Sequence, residues 1–357
     1  MKGLLSKAAA VIAIGCGIAV ADTKLSGSGA TFPQPLYERW VAEYQKAHAD
    51  VKIDYGGGGS GQGIKDITGK VVDFAGSDAP MSKAEITAAG GADALIEIPS
   101  CAGGVVPAYN LPNIKAALNF DGKSLADIYI GKITKWNDPR LVALNPGVSL
   151  PNLPVTPCYR TDGSGTNFVW TNYLALQSDD FKQSVGVGKQ VQWPLGQGGK
   201  GTAGVAAIVA QNPGSIGYIE QNYADKNNIA YGLVKNKAGK FIKASPEAVS
   251  AAGDGAAKSL NGTILAADIW DQEGDTAYPI SSFTYIIVYK DLRSVKSAQQ
   301  AQTVADFLWW ATHAGQKLNA DLDYAPLSPT VQAKVEAALA ALTYKGAPIK
   351  AATAMAR

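Results

Sequence analysis

The stretch Cys158-Tyr159-Arg160-Thr161-Asp162-Gly163-Ser164-Gly165-Thr166 decides how this chain is read. It follows a strand-like run, Leu153 to Cys158, and leads into a segment where Val169, Tyr173 and Leu176 recur with the spacing of one helix face. A strand, a turn rich in glycine and hydroxyls, then a helix is how a protein builds an anion site. The free N–H groups and the positive end of the macrodipole point into the turn. Arg160 adds a planar fork that can grip an oxyanion at two oxygens, and Asp162 can hold that fork in place. The same residues also fit an ordinary helix start with a surface Arg–Asp pair. The rest of the chain has to choose.

The unit recurs. Val51 to Tyr55 reads as a strand, runs into Gly56-Gly57-Gly58-Gly59-Ser60-Gly61-Gln62-Gly63, and a helix begins after it at Ile64. Leu25 to Pro33 is a small-residue loop ahead of an amphipathic helix marked by Leu36, Trp40 and Tyr44, with Thr31 placed to cap it or to meet a ligand. Val71 to Ala75 ends in Gly76-Ser77-Asp78-Ala79-Pro80, which adds a carboxylate. One such loop is ordinary. Several in one chain favour a cleft whose helix N-termini converge on an anion.

Other chemistry fits less well. Gly56-x-Gly58-x-x-Gly61 with Asp78 downstream has the outline of a dinucleotide fingerprint, but a tetraglycine matches many glycine patterns by chance. Lys200 in Gly199-Lys200-Gly201-Thr202 is followed by glycine and lacks the upstream P-loop glycine. No serine has the Gly-x-Ser-x-Gly frame of a serine hydrolase. The two histidines, His48 and His313, have no paired ligands near them, so no metal or cofactor is expected.

At 357 residues the chain has room for two domains. It begins with the pattern of an export signal: Lys2 and Lys7, an apolar run from Ala8 to Val20, and Ala19-Val20-Ala21 before Asp22. Cleavage is expected after Ala21. Cys16 lacks the leucine three residues earlier that a lipoprotein site carries. Losing Lys2 and Lys7 takes the formal charge from +2 to 0. With only 17% charged residues, the chain offers no basic field for nucleic acid, so anion binding must rest on local geometry. Of three cysteines, Cys101 and Cys158 remain after cleavage, and the spacing leaves a disulfide and two free thiols both open.

Strands alternating with helices point to α/β layers with mostly parallel sheets. Gly103-Gly104-Val105-Val106 looks like a crossover between domains, and the strong strand Ile280 to Tyr289 like the route back. Two helices, Ala301 to Leu318 and Pro329 to Leu342, close the chain.

Taken together, the sequence resembles the periplasmic phosphate-binding proteins of ABC-type phosphate importers. The resemblance runs from Leu25 to about Tyr344. It is carried by Gly29-Ala-Thr-Phe-Pro33, the glycine loop 56–63, Asp73-Phe-Ala-Gly-Ser-Asp-Ala-Pro80 and Gly103-Gly-Val-Val106. Further stretches are Asp127 to Trp136, Arg160 to Thr166, Trp193 to Gly201 and Asp321-Leu-Asp-Tyr-Ala-Pro-Leu327. So many matches in this order are specific where any single one is not. Cys101 and Cys158 stand where many relatives carry aliphatic residues, and Gly61 where a second serine is common.

The resemblance implies a two-lobed α/β periplasmic binding protein of type II. Each lobe would be a mostly parallel sheet flanked by helices, with hinge strands between. Residues 1–21 would be the signal, 22–104 with 280–357 one lobe, and 105–279 the other. Phosphate would be held by Thr31, Phe32 and Ser60, by Asp78 as acceptor of its proton, and by Arg160, Ser164, Gly165 and Thr166. Asp162 would support Arg160. The expected role is binding without catalysis, as a periplasmic monomer that delivers inorganic phosphate to a permease whose ATPase supplies the work. The alternatives are another tetrahedral oxyanion or a phosphate ester as ligand, or a secreted phosphatase.

Overall fold

The computed structural model describes residues 23–351; the expected signal, its cleavage point after Ala21 and Cys16 lie outside them. The fold is a two-lobed α/β arrangement around a sheet of nine strands. These are β1 (Thr23–Gly29), β2 (Val51–Gly57), β3 (Phe74–Ser77), β4 (Leu95–Tyr109), β5 (Thr156–Arg160), β6 (Gln197–Gly199), β7 (Ser215–Glu220), β8 (Ala230–Tyr231) and β9 (Ser281–Tyr289). Along the sheet the order is β2-β1-β3-β9-β4-β7-β5-β6, and β8 pairs with the end of β4.

The outer strands are parallel: β1 with β2 and β3, and β5 with β6 and β7. The middle is antiparallel, because β9 runs against β3 and β4, and β4 runs against β7. Strand β4 belongs to both halves. Its residues Leu95 to Gly104 pair with β9, and Val105 to Tyr109 pair with β7. All of β4 is buried, as its run of apolar and small residues, interrupted by Glu97, requires of a strand covered on both faces.

Helices α1 (Gln34–Ala47), α2 (Ser60–Thr68), α3 (Gly165–Gln177), α4 (Gly201–Gln211), α5 (Ala298–Thr312) and α6 (Pro329–Leu339) are the ones that position the site or close the chain. Helix α1 buries Leu36, Tyr37, Trp40 and Tyr44, a stripe at helical spacing. Trp40 is fully buried and its indole N–H donates to the Gly315 carbonyl at 2.9 Å, so its truncation to alanine would cost about 3–5 kcal/mol. The last helices end earlier than their apolar patterns suggest, and a short 3-10 turn, Ala314–Leu318, takes over after α5.

Two local readings need correction. Helix α2 starts at Ser60, not after the glycine loop, so Gly61 and Gly63 lie in its first turn. They serve close approach there: a β-carbon on Gly63 would lie 2.7 Å from Gly29 Cα. In α3, Val169 and Tyr173 are buried as the spacing expects, with Trp170 and Leu174 beside them, whereas Leu176 is 62% exposed and lies off the buried stripe.

Cys101 and Cys158 are buried, unbonded thiols. Cys101 pairs with Thr284 in one half of the sheet, while Cys158 pairs with Gly217 and Gln197 in the other. Separate ladders hold the two apart, so the disulfide left open by the spacing is absent.

Candidate functional site

Four helix N-termini meet between the two halves of the sheet. Thr31 lies just ahead of α1, Ser60 is the first residue of α2, Gly165 the first of α3, and Thr202 the second of α4. Each N-terminus brings partial positive charge and N–H groups its own helix cannot satisfy. Thr31 does not cap α1, whose N-cap is Pro33; its hydroxyl instead lies 3.0 Å from that of Thr202. Ser60 Oγ accepts from the Gly165 N–H and from the Asp78 N–H, both at 3.1 Å. Ser164 is the N-cap of α3 and accepts from the Asn167 N–H at 3.0 Å.

Arg160, at the end of β5, is 3% exposed. Its Nε and Nη2 donate to the two Asp162 oxygens at 2.8 and 2.5 Å, the bidentate geometry that fixes a guanidinium in one plane. That leaves Nη1, which donates to Thr166 Oγ1 and Thr202 Oγ1, both at 3.2 Å. Asp162 also accepts from the Gly201 N–H at 3.0 Å and so ties the start of α4 to the same cluster. Burial works against the charged guanidinium, but the Asp162 pair outweighs it and holds Arg160 above its ordinary pKa. Asp162 is likewise half-desolvated yet held below the usual carboxylate range by Arg160.

Asp78 follows β3 and is 1% exposed. Thr284 Oγ1 donates to its Oδ1 at 2.8 Å, and Ser60 Oγ to its Oδ2 at 3.3 Å. The register of β4 against β9 shifts between Thr284 and Tyr285, a bulge of the kind that re-aims a side chain, and Thr284 is the side chain placed on Asp78. Burial, and then the charge of Glu220, raise the Asp78 pKa to about 8 against the pull of Thr284, Arg160 and Ser60.

Contacts between the halves ring this cluster. The Gly61 N–H donates to the Gly163 carbonyl at 2.8 Å, Tyr223 OH to the Thr31 carbonyl at 3.0 Å, and Lys189 pairs with Glu85 at 2.6 Å. Gly59, at φ +89°, takes a conformation L side chains avoid, and a β-carbon there would also lie 2.4 Å from Asp162 Oδ2. Outside the Gly61–Gly163 seam is a groove of about 910 Å³ lined by Lys65, Lys189 and Lys200 together with Glu85 and Asp162.

Thr31, Ser60, Asp78, Arg160, Ser164, Gly165 and Thr166 are thus brought together, with Asp162 behind Arg160. Phe32 differs. Its ring is fully buried, and a β-carbon on Gly103 would fall 2.7 Å from its Cζ. Its carbonyl accepts from Tyr324 OH at 2.6 Å, so the side chain packs the crossover strand and any ligand contact falls to its backbone. Three residues escaped the sequence reading. Thr202 had the same glycine-loop signature as the others, set aside once the P-loop frame failed. Glu220 is an acid ending the otherwise uncharged strand Ser215–Glu220, and Thr284 a hydroxyl inside a strong strand; the residue types are visible in the sequence, but not the partners that strand pairing gives them. Among the described residues no group of three or more potential ligands could hold a metal ion.

A family model described as a PBP superfamily domain matches residues 18–312. The phosphate-binding protein PstS of Pasteurella multocida is 42% identical over 315 residues, covering 88% of this chain and 89% of that protein. The phosphate-binding protein PstS of Methanocaldococcus jannaschii is 36% identical over 81% of this chain and 78% of its own length. These relatives are named for binding and not for catalysis. Among solved structures, a high-affinity periplasmic phosphate-binding protein determined with phosphate bound matches with a TM-score of 0.69 at 21% identity, over 88% of this chain and 93% of that one. At that identity the structural likeness speaks for the fold alone. With these matches spanning most of its length, the chain belongs to the PstS phosphate-binding protein family of the PBP superfamily.

Proposed function

We propose that this protein binds inorganic phosphate between its two lobes and delivers it to the permease of an ABC-type importer. The observation that carries the reading is the meeting of four helix N-termini around Arg160 on one side and Asp78 on the other. The helix starts and Arg160 supply donors to a tetrahedral oxyanion. The carboxyl of Asp78 does the opposite and selects. Both solution forms of phosphate carry a P–OH that can donate to an Asp78 carboxylate, whereas sulfate has none and requires Asp78 to carry the proton itself. The Gly61–Gly163 seam, made of two backbones, closes that side of the site to the substituent of a phosphate ester, which favours the free anion.

In this reading residues 22–104 with 280–357 form one lobe and 105–279 the other, and closure bends the chain near Gly103-Gly104-Val105 and Ile280. Thr31, Phe32 (through its backbone), Ser60, Asp78, Arg160, Ser164, Gly165 and Thr166 contact the anion. The protein acts as a periplasmic monomer, exported by a signal cleaved after Ala21. No helix of the described residues is long and apolar enough to cross a membrane.

Calorimetric titration of phosphate-stripped protein tests this. Tight one-to-one phosphate binding is expected, with sulfate competing weakly. Absence of phosphate binding would overturn the reading, and tighter binding of sulfate or of a phosphate ester would reassign the ligand.

A further inference from the structure

Glu220 is a carboxyl that the phosphate reading leaves without a task. It ends β7, pairs with Val105 where β4 passes between the halves of the sheet, and is 1% exposed. Its Oε1 accepts from Thr166 Oγ1 at 2.6 Å, while its Oε2 is buried with no hydrogen-bond partner. Arg160 is nearby but spends Nε and Nη2 on Asp162. A buried carboxylate with one bare oxygen is costly to keep charged, more so beside a bound anion.

Thr166 is the link. A hydroxyl has one hydrogen to give and two lone pairs to fill. In the structure Thr166 Oγ1 accepts from Arg160 Nη1 and gives its hydrogen to Glu220. As a carboxylate Glu220 can only accept, so that hydrogen stays committed and Thr166 has none for a ligand. As a carboxylic acid with its proton on Oε1, Glu220 donates to Thr166 instead. Thr166 then receives hydrogen bonds from both Arg160 and Glu220, and its own hydrogen turns toward the anion at the start of α3.

We propose that Glu220 is a positioning residue whose protonation decides whether the Thr166 hydroxyl donates to the bound anion. The proposal rests on the phosphate reading of the site. The proton comes from solvent, and no bond other than O–H is made or broken. The charged and titratable groups facing Glu220 are Asp78 after β3, Arg160 on β5, Tyr223 from the helix Gln221–Lys226, and Tyr324. Asp78 and the arriving anion oppose its charge and Arg160 favours it. The tyrosines stay neutral, because burial raises both of them. Burial likewise raises the Glu220 pKa, against the pull of Thr166, Arg160 and the neighbouring Thr202 hydroxyl, which makes the acid form accessible.

The test compares inorganic phosphate affinity of the native protein with E220Q and T166V, from pH 5.5 to pH 9, by calorimetry. Glutamine cannot titrate. The ratio of native to E220Q affinity is therefore expected to change by roughly tenfold or more across that range, the worth of one hydrogen bond to a charged group. T166V should lose roughly tenfold at pH 5.5 and less than about threefold at pH 9, and in its background Glu220→Gln should keep only the direct repulsion between the Glu220 charge and the anion, a smaller pH-dependent change than in the native background. Phosphate ionisation is common to all the proteins and cancels in the ratios; the Asp78 titration, which the Glu220 charge shifts, cancels only between the native protein and T166V, so that ratio is the deciding one. A native/E220Q ratio constant with pH, or a T166V loss equal at both ends, would overturn the proposal. Should E220Q fail to fold, T166V decides alone. A native protein that binds no phosphate would instead sink the function proposed above.

Discussion

Gly165 and Asp78 sit so close across the site that a β-carbon on Gly165 would lie 2.5 Å from Asp78 Oδ2 and 2.4 Å from Ser60 Oγ. Position 165 is the first of α3, where alanine is a good helix residue. Gly165→Ala should therefore leave the fold intact and block the approach of the two halves. The expected outcome is phosphate affinity lowered roughly a hundredfold or more, with a melting temperature within about 3 °C of native when no phosphate is present. Near-native affinity would show that the halves need not come this close.

Asp78 links selectivity to pH. Sulfate can bind only with a proton on Asp78, and phosphate brings its own. The preference for phosphate over sulfate should therefore steepen as pH rises through about 8, where the buried carboxyl titrates. Asp78→Asn, which can donate to sulfate at any pH, should flatten that dependence. Competition titrations at pH 6 and pH 9 measure it, and an unchanged slope in the variant removes Asp78 from the selection.

Stability should carry the same signature. Burial raises Asp78 to about 8 and Glu97 to about 7, and raises Glu220 as well. Each folded carboxyl keeps a proton that its unfolded counterpart loses near pH 4. Their contribution is fully present below that pH and is lost as pH climbs through the folded values. The melting temperature of phosphate-free protein should fall by at least roughly 5 °C between pH 5.5 and pH 8.5, and less in Asp78→Asn. Asp162 and Glu85, held low by Arg160 and Lys189, act in the opposite sense only below the ordinary carboxyl range. A rise in melting temperature over the same interval would contradict this.

The Lys189–Glu85 pair bridges the halves at the rim, with side chains 21% and 28% exposed. Solvent screens such a pair. Lys189→Ala should weaken phosphate binding less than about fivefold, and the difference should shrink in high salt. A loss as large as that of Gly165→Ala would mean that the rim, not the glycine contact, governs closure.

Both thiols are buried, and the Cys158 thiol is pushed up to about 12 while burial also raises Cys101. Folded mature protein should resist thiol reagents, and denaturant should expose two reactive groups. A mass two units lower without reductant would instead reveal a bridge.

Much of this site could be read from the chain because its parts are local. Glycine loops at helix entrances, Arg160 with Asp162, and Asp78 at a strand end each announce themselves within a few residues. What could not be read depends on pairing. Thr284 reaches Asp78 through a register shift between distant strands, and Glu220 meets Thr166 only once β7 lies beside β5. Leu176 misled for the same reason, and the cysteine spacing could not choose between bridge and free thiols, since spacing says nothing of which neighbour covers a side chain.

Strand β4 carries Cys101 opposite Thr284, and Val105 opposite Glu220. Those two rungs are separated by roughly 13 Å of extended chain. The strand is thus a ruler, fixing how far the proton-reading group of one half stands from the hydroxyl-steering group of the other. A single residue inserted between Cys101 and Val105 would shift one half by about 3 Å and turn its inward faces outward. A point substitution along β4, such as a side chain at Gly103 against the buried Phe32 ring, strains the packing locally, whereas a change in the length of β4 displaces a whole half.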